Sequence, residues 1–193
     1  FGTNIMDDLA RRDFTINAMA IDVDGKLIDI FGGENDLRLN IVKAVGDAEK
    51  RIEEDGLRIL RAFRFLDLEE NNLRSLDAEL EKAIKKNIDM LEKVSRERIT
   101  EEIRKILASN NPYDILMKMQ ELGTLSNIMG DLNIEIKDLG VVEPMVILAR
   151  LLKNNNYDGE HLSEILKERP KLSKKEIRKI SFLHENRNLK FDN

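Results

Sequence analysis

Two carboxylates and one arginine lie close together in the stretch EEDGLR, at Glu54, Asp55 and Arg58. A carboxylate accepts a hydrogen bond from an exocyclic amine, and a guanidinium donates to a ring nitrogen or a carbonyl. Cytosine and adenine both present an amine beside a ring-nitrogen acceptor, so one carboxylate and one arginine can match that edge. Uracil and guanine present the opposite pattern and would leave polar groups unpaired. These residue types are therefore suited to selecting a base.

The same residues also permit a structural interpretation. If the segment is helical, Glu54 and Arg58 are four residues apart and Asp55 and Arg58 three, so either pair could be a local ion pair worth roughly 0.2–0.5 kcal/mol. Two further arginines, Arg61 and Arg64, follow and could contact phosphates or pack. Taken alone, the spacing favours local ion pairs, and base selection needs support from elsewhere in the chain.

The stretch RRDFTINAMA carries a second set of polar residues. Arg12 and Asp13 precede an apolar run that Asn17 interrupts. The arginine could bind a phosphate through its planar fork, and the amide of Asn17 could bind a sugar hydroxyl. The structural alternative is a charged loop that leads into a strand, with Asn17 bonded to nearby backbone.

A third stretch, SRERITEEIRKIL, places Arg98 and Glu102 four residues apart near the start of a predicted helix. Pairing on the helix surface is the favoured interpretation. A buried brace that holds another helix is the alternative.

Several common catalytic groups are missing from the sequence. It has no cysteine, and His161 and His184 lie far apart, which leaves little for a metal site. It has neither a P-loop nor a GxGxxG pattern. Its Asp-x-Asp pair, Asp22 and Asp24, runs into Gly25 and fits a turn. Because nucleotidyl transfer needs acidic metal ligands, we expect no metal site and no catalytic residue within this chain.

Composition and periodicity predict a mainly α protein with a small β-hairpin. Of 193 residues 36% are charged and only three are prolines, which is typical of a helix-rich chain. Two apolar runs flank Asp24–Gly25 and predict a hairpin within residues 14–31. No apolar run approaches the roughly 18 residues of a membrane span. The net charge of −5 counts mildly against a free-standing nucleic-acid binder but permits a local basic surface.

Beyond the hairpin the sequence predicts a bundle of helices and no strand after residue 45. Residues 47–68 are predicted as one continuous helix that begins at the N-cap Asp47. Ser75 and Ser95 are candidate N-caps of later helices. Pro112 fits the first turn of another helix, and Gly123 fits the position just past its end.

Taken in order, RRDFTINAMAIDVDGKLIDIFGGENDL, VGDAEKRIEEDGLRILRAFRF and SRERITEEIRKIL are similar to the class II tRNA nucleotidyltransferases. This family includes CCA-, CC- and A-adding enzymes and bacterial poly(A) polymerases. The resemblance covers residues 7–108 well and the remaining helices loosely. It implies that residues 1–33 are the C-terminal part of a nucleotidyltransferase head, residues 34–108 a helical neck, and residues 109–193 a helical body with room for the start of a tail.

The resemblance also implies roles for the polar residues. Arg12, Asp13 and Asn17 would bind the ribose and triphosphate. We also expect Arg61 to bind the nucleotide, with a phosphate contact as its role and packing as the alternative. Asp55 and Arg58 would read the base, with Glu54 positioning them. Arg98 and Glu102 would be a structural brace for that helix. Two positions depart from the family pattern: Ile30 replaces a usual proline in the hinge DIFGG, and Gly56 replaces a usual alanine, which should weaken the helix slightly.

In this family the aspartates that hold Mg²⁺ belong to a block that precedes the RRDFTINA motif. The resemblance therefore implies a cytoplasmic enzyme that uses CTP and ATP and extends the tRNA 3′ end, of which this chain supplies binding elements but no catalytic group. We expect the isolated chain to be inactive. A non-catalytic nucleotide- or RNA-binding module and a fragment of a poly(A) polymerase stay open as alternatives, as does the oligomeric state.

Overall fold

The computed structural model describes residues 4–68, 72–130, 132–137, 143–168 and 171–188. The chain divides into two compact units, Phe1–Val94 and Ser95–Asn193. Within the described residues most of the chain is helical and the strands are very short, which confirms the predicted mainly α fold class with its small hairpin. The limits of the head, neck and body at 33/34 and 108/109 rest on the resemblance alone and stay a prediction.

The first unit is built from short helices and strands of two residues. In chain order these are α1 (Ile5–Ala10), a 3-10 helix (Thr15–Asn17), β1 (Ala20–Ile21), β2 (Leu27–Ile28), α2 (Gly33–Arg38), β3 (Ile41–Val42), α3 (Ala48–Glu54), α4 (Leu57–Arg64), β4 (Ser75–Leu76), α5 (Ala78–Lys86) and a second 3-10 helix (Ile88–Lys93).

The predicted hairpin is present but shorter than expected. Strands β1 and β2 pair antiparallel, with Ala20 opposite Ile28. The Asp22 carboxylate accepts from the backbone N–H of Lys26 at 2.8 Å and closes the turn. The first half of the predicted strand forms the 3-10 helix instead, because Thr15 is drawn to the buried Asp36, whose carboxylate accepts from its hydroxyl at 2.7 Å.

The expectation of no strand after residue 45 was wrong. Strand β4 pairs in parallel with β3, with Ser75 opposite Ile41. Ser75 is therefore a strand residue and not an N-cap. The cap of α5 is Asp77, whose carboxylate accepts from the N–H of Glu79 at 3.1 Å. A strand of two residues is too short to show the alternation by which strands are recognised in a sequence.

The predicted helix over residues 47–68 is interrupted. Asp47 does cap α3, accepting from the N–H of Lys50 at 3.1 Å. Asp55, however, is extended, with φ −155° and ψ 103°, and α4 begins after Gly56. Apolar side chains of this segment are buried on both sides of the break, at Ile52, Ile59, Leu60, Phe63 and Leu66.

Gly56 lies against the backbone of the second 3-10 helix of the first unit. A Cβ at this position would stand 2.4 Å from the carbonyl oxygen of Met90, closer than real atoms approach. The glycine thus allows close packing at the start of α4, a role that the sequence did not predict.

The regular secondary structure in the described residues of the second unit is all helical. Its helices are α6 (Arg96–Leu107), α7 (Pro112–Glu121), α8 (Thr124–Met129), α9 (Pro144–Leu151), α10 (Gly159–Glu168) and α11 (Lys174–Glu185).

Several boundaries of the second unit match the sequence. Ser95 precedes α6 as its N-cap residue, and Pro112 opens α7. Gly123 follows α7 with a φ of 77°, which confirms the predicted helix end. No helix of the described residues is long and apolar enough to cross a membrane.

An ion pair between two helices fixes part of the second unit. Arg104 on α6 donates two hydrogen bonds of 2.8 Å to the carboxylate of Glu176 on α11. Glu176 also forms a capping box with Ser173 at the start of α11. The bond from Arg104, against the opposing effect of burial, lowers the pKa of Glu176 to about 2. The carboxylate therefore stays ionised across the physiological pH range.

Candidate functional site

Three of the predicted nucleotide-binding residues meet in the first unit. The carboxylate of Asp13 is buried and accepts from the Arg61 Nε. It also accepts from the Asn17 Nδ2 at 2.6 Å. We call Asp13, Asn17 and Arg61 the loop cluster. The Arg61 guanidinium also lies over the Phe65 ring, at 5.9 Å from its centroid. Because only Nε of Arg61 has a hydrogen-bond partner among the described residues, its two Nη groups remain available to an anion.

The loop cluster keeps Asp13 charged. Burial acts to raise the pKa of Asp13, but the hydrogen bonds from Arg61 and then Asn17 outweigh it and leave the pKa below its ordinary value. A buried carboxylate with one cationic partner is locally neutral as a pair. The cluster can therefore present N–H groups outward without repelling a triphosphate strongly.

Backbone bonds hold the loop cluster in place. The N–H of Val45 donates to the carbonyl of Asp13 at 3.0 Å, and the N–H of Thr15 donates to that of Lys43 at 2.9 Å. The ring of Phe14 is buried and packs edge-on against Phe65 at a centroid distance of 5.4 Å. Phe14, which lies between Asp13 and Thr15, thus anchors this loop in the core.

Arg12 is not brought into the loop cluster. Its side chain is half exposed and pairs with Asp8 one helical turn earlier, at 3.0 Å between Nη2 and Oδ2. Exposed pairs of this kind contribute little to stability, so Arg12 can turn to a ligand at small cost.

Glu54 and Arg58 form a second cluster together with Arg51. The Glu54 Oε2 accepts from Arg58 Nη1 at 2.6 Å and from Arg51 Nη1 at 2.9 Å. Arg58 Nη1 also donates to the carbonyl oxygen of Arg51 at 2.7 Å. The bond from Arg58 is the main cause of the lowered pKa of Glu54. We call Arg51, Glu54 and Arg58 the template cluster.

The template cluster orients Arg58 but occupies only part of the hydrogen-bonding capacity of its guanidinium. Both hydrogen bonds of its guanidinium pass through Nη1, so Nε and Nη2 have no hydrogen-bond partner among the residues that the structure describes. The side chain is only 17% exposed, which limits its freedom to rotate. A guanidinium held at one nitrogen and open at two others can donate to the edge of a base.

Asp55 takes a different place from the one that a continuous helix predicts. Because its backbone is extended, the three-residue helical spacing to Arg58 does not apply. Its Oδ1 accepts from the N–H of Leu57 at 3.1 Å and so caps the start of α4. Its role in reading a base stays a prediction.

Sequence reasoning missed Arg51. Its Nε donates to the carbonyl of Val45 at 3.0 Å, its Nη2 donates to the carbonyl of Ala10, and its Nη1 binds Glu54. Arg51 therefore joins α3 to the two segments that hold the loop cluster. Its three-residue spacing from Glu54 is a weak signal, and the carbonyl contacts leave no trace in the sequence.

The two brace candidates lie in the second unit, on α6. Glu102 is 3% exposed, and its Oε1 accepts from Lys105 Nζ at 2.9 Å. A carboxylate this deeply buried fits a brace better than a solvated surface pair. The role of Arg98 and Glu102 as a brace stays a prediction.

A further cavity of the first unit does not suit a phosphate. A cavity of about 640 Å³ lies near the starts of α3 and α5, but four carboxylates line it, at Asp47, Glu49, Asp77 and Glu79. Among the described residues of the whole chain, no group of three or more His, Asp or Glu side chains is placed to hold a metal ion. Those residues therefore do not fit a magnesium site.

Two known sequence families match parts of the chain. The family described as "Poly A polymerase head domain" matches residues 1–43. The family described as "Probable RNA and SrmB- binding site of polymerase A" matches residues 75–134. The loop cluster draws Asp13 and Asn17 from the first match, and Arg61 and the template cluster lie between the two.

Curated relatives are CCA-adding enzymes. That of Lactobacillus helveticus is 49% identical over 106 residues, which are 55% of this chain and 26% of the relative. That of Ligilactobacillus salivarius is 41% identical over 143 residues, 72% of this chain and 34% of the relative. The matches thus span about a quarter to a third of the length of these relatives.

Solved structures of similar proteins cover nearly the whole chain. The Bacillus stearothermophilus CCA-adding enzyme in complex with CTP superposes with a TM-score of 0.79 and 31% identity, over 96% of this chain and 47% of that one. The Thermotoga maritima CCA-adding enzyme complexed with tRNA gives a TM-score of 0.72 and 26% identity, over 94% and 48%.

The head-domain match and the structural likeness place the chain in the class of proteins in which a polymerase head segment is followed by helices. Within that class, the relatives by sequence and by structure agree. The chain belongs to the class II tRNA nucleotidyltransferase family.

Proposed function

We propose that this chain is the nucleotide-selecting part of an enzyme that adds CMP and AMP to the 3′ end of tRNA from CTP and ATP. The observation that carries the proposal is the template cluster. It fixes Arg58 through Nη1 and leaves Nε and Nη2 without a hydrogen-bond partner among the described residues. The CTP complex of the Bacillus stearothermophilus relative supports CTP as one ligand.

In this proposal Arg58 and Asp55 read the base. Arg58 donates to the ring nitrogen, and the Asp55 carboxylate accepts from the exocyclic amine of cytosine or adenine. Asp55 must then release or share the N–H of Leu57. Uracil and guanine would place a carbonyl oxygen opposite the Asp55 carboxylate. They are rejected because polar groups would then be left without a hydrogen-bond partner.

The remaining residues position the nucleotide. Glu54 and Arg51 hold the Arg58 guanidinium. Arg61 and Arg12 donate to the triphosphate, Asn17 binds the ribose, and Asp13 acts through Arg61 and Asn17. All of these contacts depend on charge or hydrogen bonds and not on the identity of the base.

The proposed reaction joins the tRNA 3′ oxygen to the α-phosphorus of the nucleotide and releases pyrophosphate. Enzymes of this reaction class generally need divalent metal ions, and we propose Mg²⁺. Since the described residues offer no site for the ion, its ligands belong outside them, and the neck residues serve selection. A cytoplasmic location is part of the same proposal.

A transfer assay tests this function. The chain from Asn4 onward would be joined to the catalytic head of a CCA-adding relative and supplied with labelled CTP, ATP and a tRNA that lacks its terminal CCA. We expect addition that stops at CCA, no addition by the 193-residue chain alone, and loss of addition in the joined Arg58→Ala variant. A long poly(A) product would favour a poly(A) polymerase, and robust addition by the chain alone would contradict the absence of a catalytic group.

A further inference from the structure

A groove in the second unit has a composition unlike the rest of the acidic chain. It lies between α9 and α11 and has a volume of about 180 Å³. Val146 and Ala149 from α9 and Leu183 from α11 form an apolar floor. The polar side chains around it are those of Arg150, Lys153, Asn186 and Arg187. None of the described side chains that line the groove is a carboxylate.

The cations of the groove are available to a ligand. Arg150 and Lys153 are exposed. Arg187 donates through Nη1 to the carbonyl of His184 at 2.7 Å, which fixes its direction. The charge of Lys153 acts on Glu135, but that carboxylate is already bound by Lys137 at 2.6 Å and by Asn154.

The carboxylates of α11 are occupied away from the groove. Glu176 is bound by Arg104 and Ser173. Glu185 lies beside Gly159, where an added Cβ would stand 2.0 Å from its Oε1. The segment from Lys174 to Arg187 contains five lysines and arginines and only these two acids. Of these five cations Arg187, just past the end of α11, lines the groove.

A structural explanation accounts for only part of this arrangement. Arginine and lysine in the last turn of a helix interact favourably with its dipole, and Arg150 is such a residue. The dipole does not require cations from two helices to converge on one groove with an apolar floor. It also does not explain the nearby Phe182 of α11, which is 64% exposed.

We propose that the α9–α11 groove binds one phosphate of an RNA backbone, with an adjacent base stacked on Phe182. This inference rests on the proposed function, because it takes the RNA substrate as the partner. Two arginines and a lysine around an amide are the donors that phosphate contacts use. Stacking on an exposed aromatic side chain is the usual way in which proteins hold unpaired bases without reading them.

The size of the groove favours a phosphate of a polymer over a free nucleotide. Pockets that enclose a whole small-molecule ligand usually have about 300–1,000 Å³, and this groove is smaller. A single phosphate fits, while its sugar and base stay outside near Phe182. The Asn186 amide beside the groove is held by a bond from its Nδ2 to the backbone carbonyl of Phe182 at 2.8 Å.

The groove is separate from the matched RNA-binding region. That region ends at residue 134, and the groove is formed by residues 146–187. It would add a contact to the RNA and would carry no sequence information, because phosphate contacts position a nucleic acid and do not specify it.

The salt dependence of RNA binding provides the test. The affinity of the 193-residue chain for tRNA would be measured between low and moderate salt for Arg150→Ala/Lys153→Ala. A matched control, Lys174→Ala/Arg178→Ala, removes one lysine and one arginine that are exposed on α11 but do not line the groove. We expect the groove variant to lose about 10-fold in affinity, and its log–log salt slope to fall by about 1, since the one phosphate contact that it loses contributes about 0.7–0.9.

Two further arms separate the possible outcomes. Phe182→Leu should weaken binding of a single-stranded RNA, by about 5-fold or more, while Phe182→Tyr should not. An equal effect of the groove variant and the control, or an affinity for single-stranded RNA that Phe182→Leu leaves unchanged, would overturn the proposal. The groove variant should bind CTP as tightly as the unmodified chain does. If the unmodified chain binds no CTP, that result counts against the proposed function and not against the groove.

Discussion

Arg61 on α4 binds the buried carboxylate of Asp13, which lies 48 residues earlier in the chain. The sequence identified both as nucleotide-binding residues, but as separate contacts. Because the two side chains form an ion pair, Arg61 has a structural role besides the predicted nucleotide contact. It keeps Asp13 ionised and holds its carboxylate in place. Its two Nη groups are then directed by the same bond that stabilises the first unit.

The first prediction concerns this pair. Removing the guanidinium in Arg61→Ala leaves a buried carboxylate with one partner fewer, which should destabilise the first unit by about 1–3 kcal/mol. Asp13→Asn should cost a similar amount, and the double variant should cost less than the sum. Urea unfolding of the four proteins measures the coupling. Additive effects would show that the two side chains act independently.

The second prediction concerns Arg51, which connects the carbonyls of Ala10 and Val45 to Glu54. Without it Glu54 loses one donor and Arg58 loses part of its support. Arg51→Ala should therefore reduce the preference for CTP over UTP, and not only the affinity for both. Lys50→Ala, one residue earlier and with no bond from its side chain to either cluster, is the control. Partial rescue by Arg51→Lys is expected, since the lysine keeps a donor but loses the fork.

The third prediction separates packing from helix propensity at Gly56. If residues 47–68 formed one continuous helix, propensity would have Gly56→Ala stabilise the protein by roughly 0.5–1 kcal/mol. The carbonyl of Met90 at 2.4 Å from the new Cβ predicts destabilisation, by about 1–3 kcal/mol for a crowded core.

A matched glycine provides the control for that prediction. At Gly159 a new Cβ would meet the Glu185 carboxylate, the mobile end of a side chain, so Gly159→Ala should cost much less. Thermal unfolding of both variants checks the comparison. A stabilised Gly56→Ala variant would contradict the close contact with Met90.

The fourth prediction concerns pH and His184. Its ring is 1% exposed, Nε2 lies 3.1 Å from the carbonyl oxygen of Tyr157, and Nδ1 has no partner among the described residues. Burial first, and then the charge of Arg187, lowers the pKa of His184. The unfolded chain therefore binds the proton more tightly, and stability falls as the pH drops below about 6.5, by at most about 1.4 kcal/mol per unit.

Unfolding by urea between pH 7.5 and pH 5.5 measures this effect. His184→Gln should remove the dependence that comes from this side chain. His161→Gln, which changes the exposed histidine of the chain, should keep it. The same slope in His184→Gln and in the unmodified chain would exclude His184 as its source.

Local signals in the sequence predicted much of the fold. The Asp47 cap, the Pro112 and Gly123 boundaries and the Asp24–Gly25 hairpin all depend on neighbouring residues, and all are present. The break at Asp55 was not predicted. It is accompanied by close packing of the next residue, Gly56, against the backbone of Met90, which lies far along the chain.

The candidate site was predicted in the same uneven way. Asp13, Asn17 and Arg61 meet, and so do Glu54 and Arg58, although no periodicity in the sequence links residue 13 to residue 61. Arg51 was missed because two of its three partners are backbone carbonyls, which every residue possesses. Charge pairs are visible in a sequence, whereas contacts to the backbone appear only in the fold.

The central claim is that Asp55 and Arg58 select the base, and nucleotide binding by the 193-residue chain tests it directly. Calorimetric titration with CTP, ATP, UTP and GTP should show tighter binding of CTP and ATP, by about 5- to 150-fold for a matched pair of hydrogen bonds. Arg58→Ala and Asp55→Ala should each abolish that preference, while Arg38→Ala on α2 should keep it. Equal binding of all four nucleotides, or a preference that survives in Arg58→Ala, would contradict the claim.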